Sequence, residues 1–206
     1  MAIDSSYVTA AEYRAITGKS DESQDSDVLL SLTAITRHLE GRLGRFFNVD
    51  ANDVTRVYIV PDAGPRLYVN DLSADPTTIK IDEDHDGSFA DDTALASADY
   101  ELHPINAPLG PEVWPYTSIV LTDWGTKGSF GKGQRVEVVG KFGWPAVPEA
   151  VKQATAELTA ILRLESARAT TQITPMGDVG GILSTSRPAQ DIIHRLTEQY
   201  KAHYFV

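Results

Sequence analysis

At 206 residues, 42% hydrophobic and 23% charged, the chain has the size and composition of an ordinary globular protein: one domain, or one domain carrying an insertion. Its formal charge of −11 opposes broad binding to DNA phosphates, which takes clustered Lys and Arg; the absence of cysteine excludes a disulfide framework and thiolate metal sites and points to an intracellular protein. No segment approaches the ~20 consecutive apolar residues of a membrane helix, and "MAIDSSYVTA" lacks a basic region followed by an apolar run, so a soluble protein with no membrane partner is expected.

Thr9 and Glu12 have the spacing of a capping box and Gly18 suits a C-terminal stop, which predicts a short helix over residues 9–17. After "GKSDESQDS", Asp27 can cap a longer helix whose apolar positions Val28, Leu32, Ile35, Leu39, Leu43 and Phe46 recur at helical spacing. Arg37, Arg42 and Arg45, late in that helix, read as offsetting its C-terminal dipole rather than as a phosphate-facing stripe. The period then changes. "VTRVYIV", "RLYVN", "TTIKI", "DYELH", "TSIVLTD" and "RVEVVGKF" read as short strands split by Pro, Gly and Asp, and no connection is long enough for a crossover helix, so the unit is antiparallel. Pro148 opens a third helix running to Ala169, with Val151, Ala154, Leu158, Ile161 and Leu162 on one stripe. "TTQITPMGDVGGILSTSR" has little periodicity and reads as a long loop or arm, after which Pro188 opens a last helix with Ile192, Ile193, Leu196 and Tyr200 inward. The fold class is α+β.

Motifs for chemistry mostly fail. "DEDHDG" places Asp82, Asp84, Asp86 and Gly87 where a calcium loop has its first three carboxylates and its glycine, but the closing bidentate position falls on Thr93 and "TTIKI" before it has a strand period. It reads as an exposed hairpin tip without tight metal binding, with these aspartates as the weak calcium candidates. "GTKGSFGKG" lacks the spacing of a phosphate loop, the five histidines form no zinc-binding helix pattern, and there is no nucleophile elbow. Neither catalysis nor a cofactor is expected. An alternative class, a calcium-dependent adhesion or carbohydrate-binding module, would use the acidic tip with Trp114, Tyr116, Trp124 and Trp144; an uncharacterised hydrolase has less in its favour.

The stretch "VVGKFGWPAVPEAVKQA" turns a strand into a helix: Gly140 and Gly143 permit the change of direction, Trp144 can pin the corner and Pro148 starts the helix. Taken in order with "LEGRLGRFF", "IDEDHDGSF", "DYELHP" and "WPYTSIVL", it resembles the tailed-phage head-to-tail connector family, also called head completion or adaptor proteins, over residues 9–165. The resemblance implies a small α-helical bundle with the β unit inserted between the second and third helices. Residues 1–53 would form the N-terminal helices, 54–143 the inserted β unit, 144–169 the third helix and 170–206 a C-terminal arm and helix. It also implies a non-catalytic protein of the virion neck, assembled in the host cytoplasm. Its partners would be itself in a ring, typically twelvefold, the portal protein, and a stopper or tail completion protein, with DNA passing through the channel without specific binding. Ile173, Met176, Val179, Ile182 and Leu183 in the arm, with Tyr204 and Phe205 at the end, are the candidate partner-binding residues, expected to become ordered on assembly.

Overall fold

The computed structural model describes residues 6–107, 113–168, 181, 183 and 186–201. They fall into two compact units, one from Met1–Phe47 with Val147–His203 and the other from Asn48–Ala146. Among the described residues, no helix is long and apolar enough to cross a membrane.

The first unit is helical. Helix α1, Ala10–Thr17, begins on the capping box read from the sequence: Thr9 Oγ1 accepts from the Glu12 amide at 3.2 Å and Glu12 returns a carboxylate to the Thr9 amide at 2.8 Å. It ends on Gly18, left-handed at φ 68°. Helix α2, Asp25–Leu43, starts three residues earlier than the Asp27 cap predicted. Gln24 occupies the cap position, and Asp25 and Asp27 lie in the first turn, where the helix dipole favours acidic groups and Arg14 of α1 ion-pairs with Asp25. Val28, Leu32, Ile35, Leu39 and Leu43 form its buried face, as their spacing requires. Phe46 does not: Gly44 ends the helix in the left-handed conformation, the helical phase is lost, and Phe46 is exposed while Phe47 takes the core position.

Helix α3, Glu149–Arg168, begins one residue after Pro148, whose carbonyl accepts from the Val151 and Lys152 amides at 2.9 and 3.0 Å. Its buried Thr155 and Thr159 donate to backbone carbonyls one turn back, so neither hydroxyl is stranded. Helix α4, Arg187–Tyr200, buries Ala189, Ile192, Ile193, Leu196 and Tyr200 and packs on α2 and α3. The Phe47 ring meets Tyr7 and Tyr200 edge-on, each at 5.6 Å. Tyr7 donates its hydroxyl to Glu40 at 3.1 Å and accepts from the Phe47 amide at 3.1 Å, while Arg37 holds the other Glu40 oxygen at 2.7 Å. Arg37 therefore serves this network rather than the helix dipole. Burial, with the Glu40 carboxylate adding to it, pushes the Tyr7 hydroxyl far above its ordinary titration range, so it stays a neutral donor.

The second unit contains two three-stranded antiparallel sheets rather than a single one. Strands β1 (Val54–Ile59) and β3 (Thr78–Ile81) flank β6 (Arg135–Gly140); β2 (Arg66–Leu72) and β4 (Tyr100–His103) flank β5 (Tyr116–Leu121). Register aligns Val57 with Glu137 and Ile79 with Val138 in one sheet, and Leu67 and Leu102 with Ile119 in the other. The alternating apolar positions of both sheets meet in one core that includes Leu67, Ile79, Ile119, Phe130, Val138 and Phe142.

The last helix is thus part of the helical core, with Ile192, Ile193, Leu196 and Tyr200 inward as their spacing requires. Tyr200→Ala is expected to lower stability by about 3–5 kcal/mol, the usual cost of truncating a buried aromatic. Removing the chain from Ser186 onward is expected to abolish cooperative unfolding of the helical unit in a thermal melt followed by circular dichroism. An unchanged melt in either variant would contradict this placement.

Candidate functional site

The predicted corner is the most tightly built place in the second unit. Gly143 adopts φ 105°, and a Cβ there would stand 2.0 Å from the Asn48 carbonyl oxygen, so only glycine fits. Its amide donates to the Asp71 carbonyl at 2.7 Å, and one step earlier the Phe142 carbonyl accepts from the Asp50 amide at 2.8 Å. Trp144 is fully buried, packs at a tilt of 51° against Trp114 with centroids 4.8 Å apart, and donates its indole N–H to Asp71 Oδ2 at 3.0 Å. Arg56 lies 4.0 Å over the Phe142 ring and pairs with Asp50 at 3.7 Å. Residues 48–50 and 142–144, the two ends of the unit, therefore lie side by side.

Asp71, Asn48 and Arg56 were not singled out from the sequence, although Asp71 carries a legible signal. It follows Leu67 and Val69 on the inward phase of "RLYVNDL", and an acid at such a position needs a buried donor.

The acidic turn differs from the exposed hairpin tip expected. β3 pairs with β6, and the returning chain makes backbone contact with β3 at the Lys80–Ala94 bridge and through the Leu95 amide bond to the Ile79 carbonyl, 2.9 Å. The polar "DGSFADD" before Ala94 reaches β3 through the Phe89 carbonyl, which accepts from the Lys80 side chain, and lacks the alternation that would make a second strand. Asp84 and Asp86 are exposed, but Asp82 is buried, with 1% exposure, because its backbone is pinned to β6 through Arg135 and Gln134.

The loop after β5 is ordered from Asp99. Asp99 accepts from the Thr126 and Ala96 amides, each at 2.8 Å, and these bonds hold its carboxyl below the ordinary carboxylate range. The aromatic set of the alternative binding-module class does not form an open platform. Trp144 is buried, Trp114 packs on it, Tyr116 is half-buried, and Trp124 alone of the four is widely exposed.

Of the partner-binding candidates, Ile173, Met176, Val179, Ile182, Tyr204 and Phe205 lie outside the described residues. Leu183 is described and is buried against the helical unit, beside a groove lined by His38, Arg42, Ile193 and His194. Burial, and the neighbouring Arg42 charge after it, hold His38 below its ordinary pKa.

No protein-family model and no curated protein sequence matches the chain. Solved structures do. A chain in the neck of the empty gene transfer agent particle, computed with C6 symmetry, matches over 100% of this chain and 95% of its own, with TM-score 0.55 and 17% identity. A chain of the native gene transfer agent virion matches over 97% and 92%, with TM-score 0.54 and 17% identity. A third, in the native particle's neck computed with C12 symmetry, matches over 100% and 94%, with TM-score 0.50 and 17% identity. The chain shares its fold with particle-neck proteins. The likeness runs the full length, so helical unit and β insert together make up the neck-protein fold.

Within that fold the corner is a structural device, and its cost of disruption is predictable. Trp144→Ala is expected to destabilise the protein by about 3–5 kcal/mol through loss of a buried aromatic. Gly143→Ala adds backbone strain of about 1–3 kcal/mol to overpacking of about 1–3 kcal/mol, an expected loss of about 2–6 kcal/mol. Chemical denaturation checks both values, and an unchanged midpoint in Gly143→Ala would show that the backbone at Asn48 moves aside freely.

Proposed function

We propose that the chain is a structural, non-catalytic component of the neck of a phage-like particle, a ring-forming adaptor that joins the DNA-filled head to the tail or to a stopper. The observation that carries the reading is the full-length likeness to chains of particle necks computed with sixfold and twelvefold symmetry. The ordered set of motifs over residues 9–165, which resembles the connector family, supports the same reading.

The physics of a ring agrees with this. Closure around an axis repeats one heterologous interface, so each subunit presents two different faces to its neighbours. Strand β1 is one candidate face: it is a sheet edge, and Val57 and Ile59 are 52% and 67% exposed on it. An uncovered apolar edge strand is a liability for a free monomer, and a second copy of the chain would cover it. The net charge of −11 suits a channel that DNA must traverse without being gripped, because like charge repels the phosphate backbone. Portal protein on the head side, with a stopper or tail completion protein on the other, would be the partners.

Particles assembled without this chain should accumulate as DNA-filled heads that fail to join tails. Ile59→Glu, which leaves the core untouched, should reproduce the defect and shift the purified protein toward monomer in light scattering in the presence of portal. Normal tailed particles assembled in the absence of the chain would overturn the proposal.

A further inference from the structure

Asp82 is nine-tenths buried or more, yet its Oδ1 has no hydrogen-bond partner. Its other oxygen accepts only the Gly87 amide, at 3.2 Å. A buried carboxylate with a stranded oxygen is unfavourable unless a cation completes it. The same group belongs to a cluster: one carboxylate oxygen each from Asp82, Asp84 and Asp86 lie within 4.8 Å of one another. Two oxygens bound to a single calcium ion at about 2.4 Å stand at most about 4.8 Å apart, so this is the spread one ion allows. Three like charges at that range repel without an ion between them.

The loop is shaped to bring alternate side chains together. His85 and Gly87 both take positive φ, 63° and 83°. Asp84 Oδ1 accepts from the Asp86 amide and Asp86 Oδ1 from the Ser88 amide, at 3.2 and 2.6 Å, which curls the backbone around the acidic side chains. Glu83, between the first two aspartates, is drawn away into an ion pair with Lys127. Two cations lie near the loop: Lys80 donates to the Phe89 carbonyl, and the Arg135 guanidinium lies against Gly87 of the loop itself. Among the described residues neither forms an ion pair with the three aspartates. A further acid of the loop, Asp92, accepts from the Glu83 amide at 3.2 Å through Oδ1 and leaves its buried Oδ2 without a partner.

We propose that Asp82, Asp84 and Asp86 bind a divalent cation, and that the cation is calcium. The converging donors are all oxygens, which disfavours zinc, and they sit on an irregular turn rather than in the octahedral frame magnesium requires. Thr93 stands where a calcium-sensor loop has its bidentate closing carboxylate, so loop carbonyls and water complete the shell and the affinity is weak, roughly 10⁻⁴–10⁻³ M. The inference does not rest on the neck assignment, since it uses only the loop's own geometry.

Calorimetric titration of the full chain with calcium chloride, and with magnesium chloride as control, tests it. The expected result is one saturable calcium site with at least tenfold weaker magnesium binding, and a melting temperature that rises with calcium. Asp84→Asn combined with Asp86→Asn alters exposed side chains only and should weaken calcium binding at least tenfold while leaving the circular dichroism spectrum unchanged. Absence of saturable binding at millimolar calcium, or unaltered binding in the double variant, would overturn the proposal.

Discussion

The second unit depends on a contact that leaves no room for a side chain. Gly143 meets the Asn48 carbonyl so closely that a methyl group would overlap it, and this fixes the unit's last residues against its first. Everything nearby is organised to keep them there: the Asp50–Phe142 backbone bond, the Gly143 amide on the Asp71 carbonyl, and the Trp144 indole on the Asp71 carboxylate. An insert whose ends are adjacent can interrupt a helical chain at a single point, because the residues before and after it enter and leave together. Strand β6 runs from the shared core straight into this closure, so the packing of Val136 and Val138 and the position of Gly143 belong to one rigid stretch.

The helical unit rests on a different device. Its core is apolar along α2, α3 and α4, but a polar chain runs into it from the exposed Arg37 through the buried Glu40 and Tyr7 to the Phe47 backbone. The Tyr7 hydroxyl and both Glu40 oxygens are hydrogen-bonded in that chain, which is the condition under which buried polar groups specify a fold rather than weaken it. The aromatic rings of Tyr7, Phe47 and Tyr200 then tie the segment before α1, the end of α2 and the end of α4 into one cluster.

Local signals were legible and long-range ones were not. The capping box at Thr9 and Glu12, the glycine stop at Gly18, and the helical stripe of α2 follow from rules that act within one or two turns. The six strands were likewise placed by alternation, but their division into two sheets depends on pairing across the chain, which periodicity does not encode. Phe46 was misplaced because a helical phase was extended past the glycine that ends it. The burial of Asp82 was hidden for a similar reason: its spacing describes an open turn, and the residues that cover and pin it come from β6, more than fifty positions away. Trp144 was found because tryptophan between two chain-reversing residues has few other uses, whereas its partner Asp71 needed the phase of β2 to be followed one residue further.

The central claim, that the closure at residues 48–50 and 142–144 holds the second unit together, is most directly tested by amide hydrogen exchange on the full chain. The amides of Gly143 and Asp50 are predicted to exchange as slowly as those of Val136 and Val138 in the central strand, opening only when the whole unit unfolds. If they instead exchange at the rate of exposed loops while Val136 and Val138 stay protected, the ends part without loss of the sheets, and the closure is not what the unit depends on.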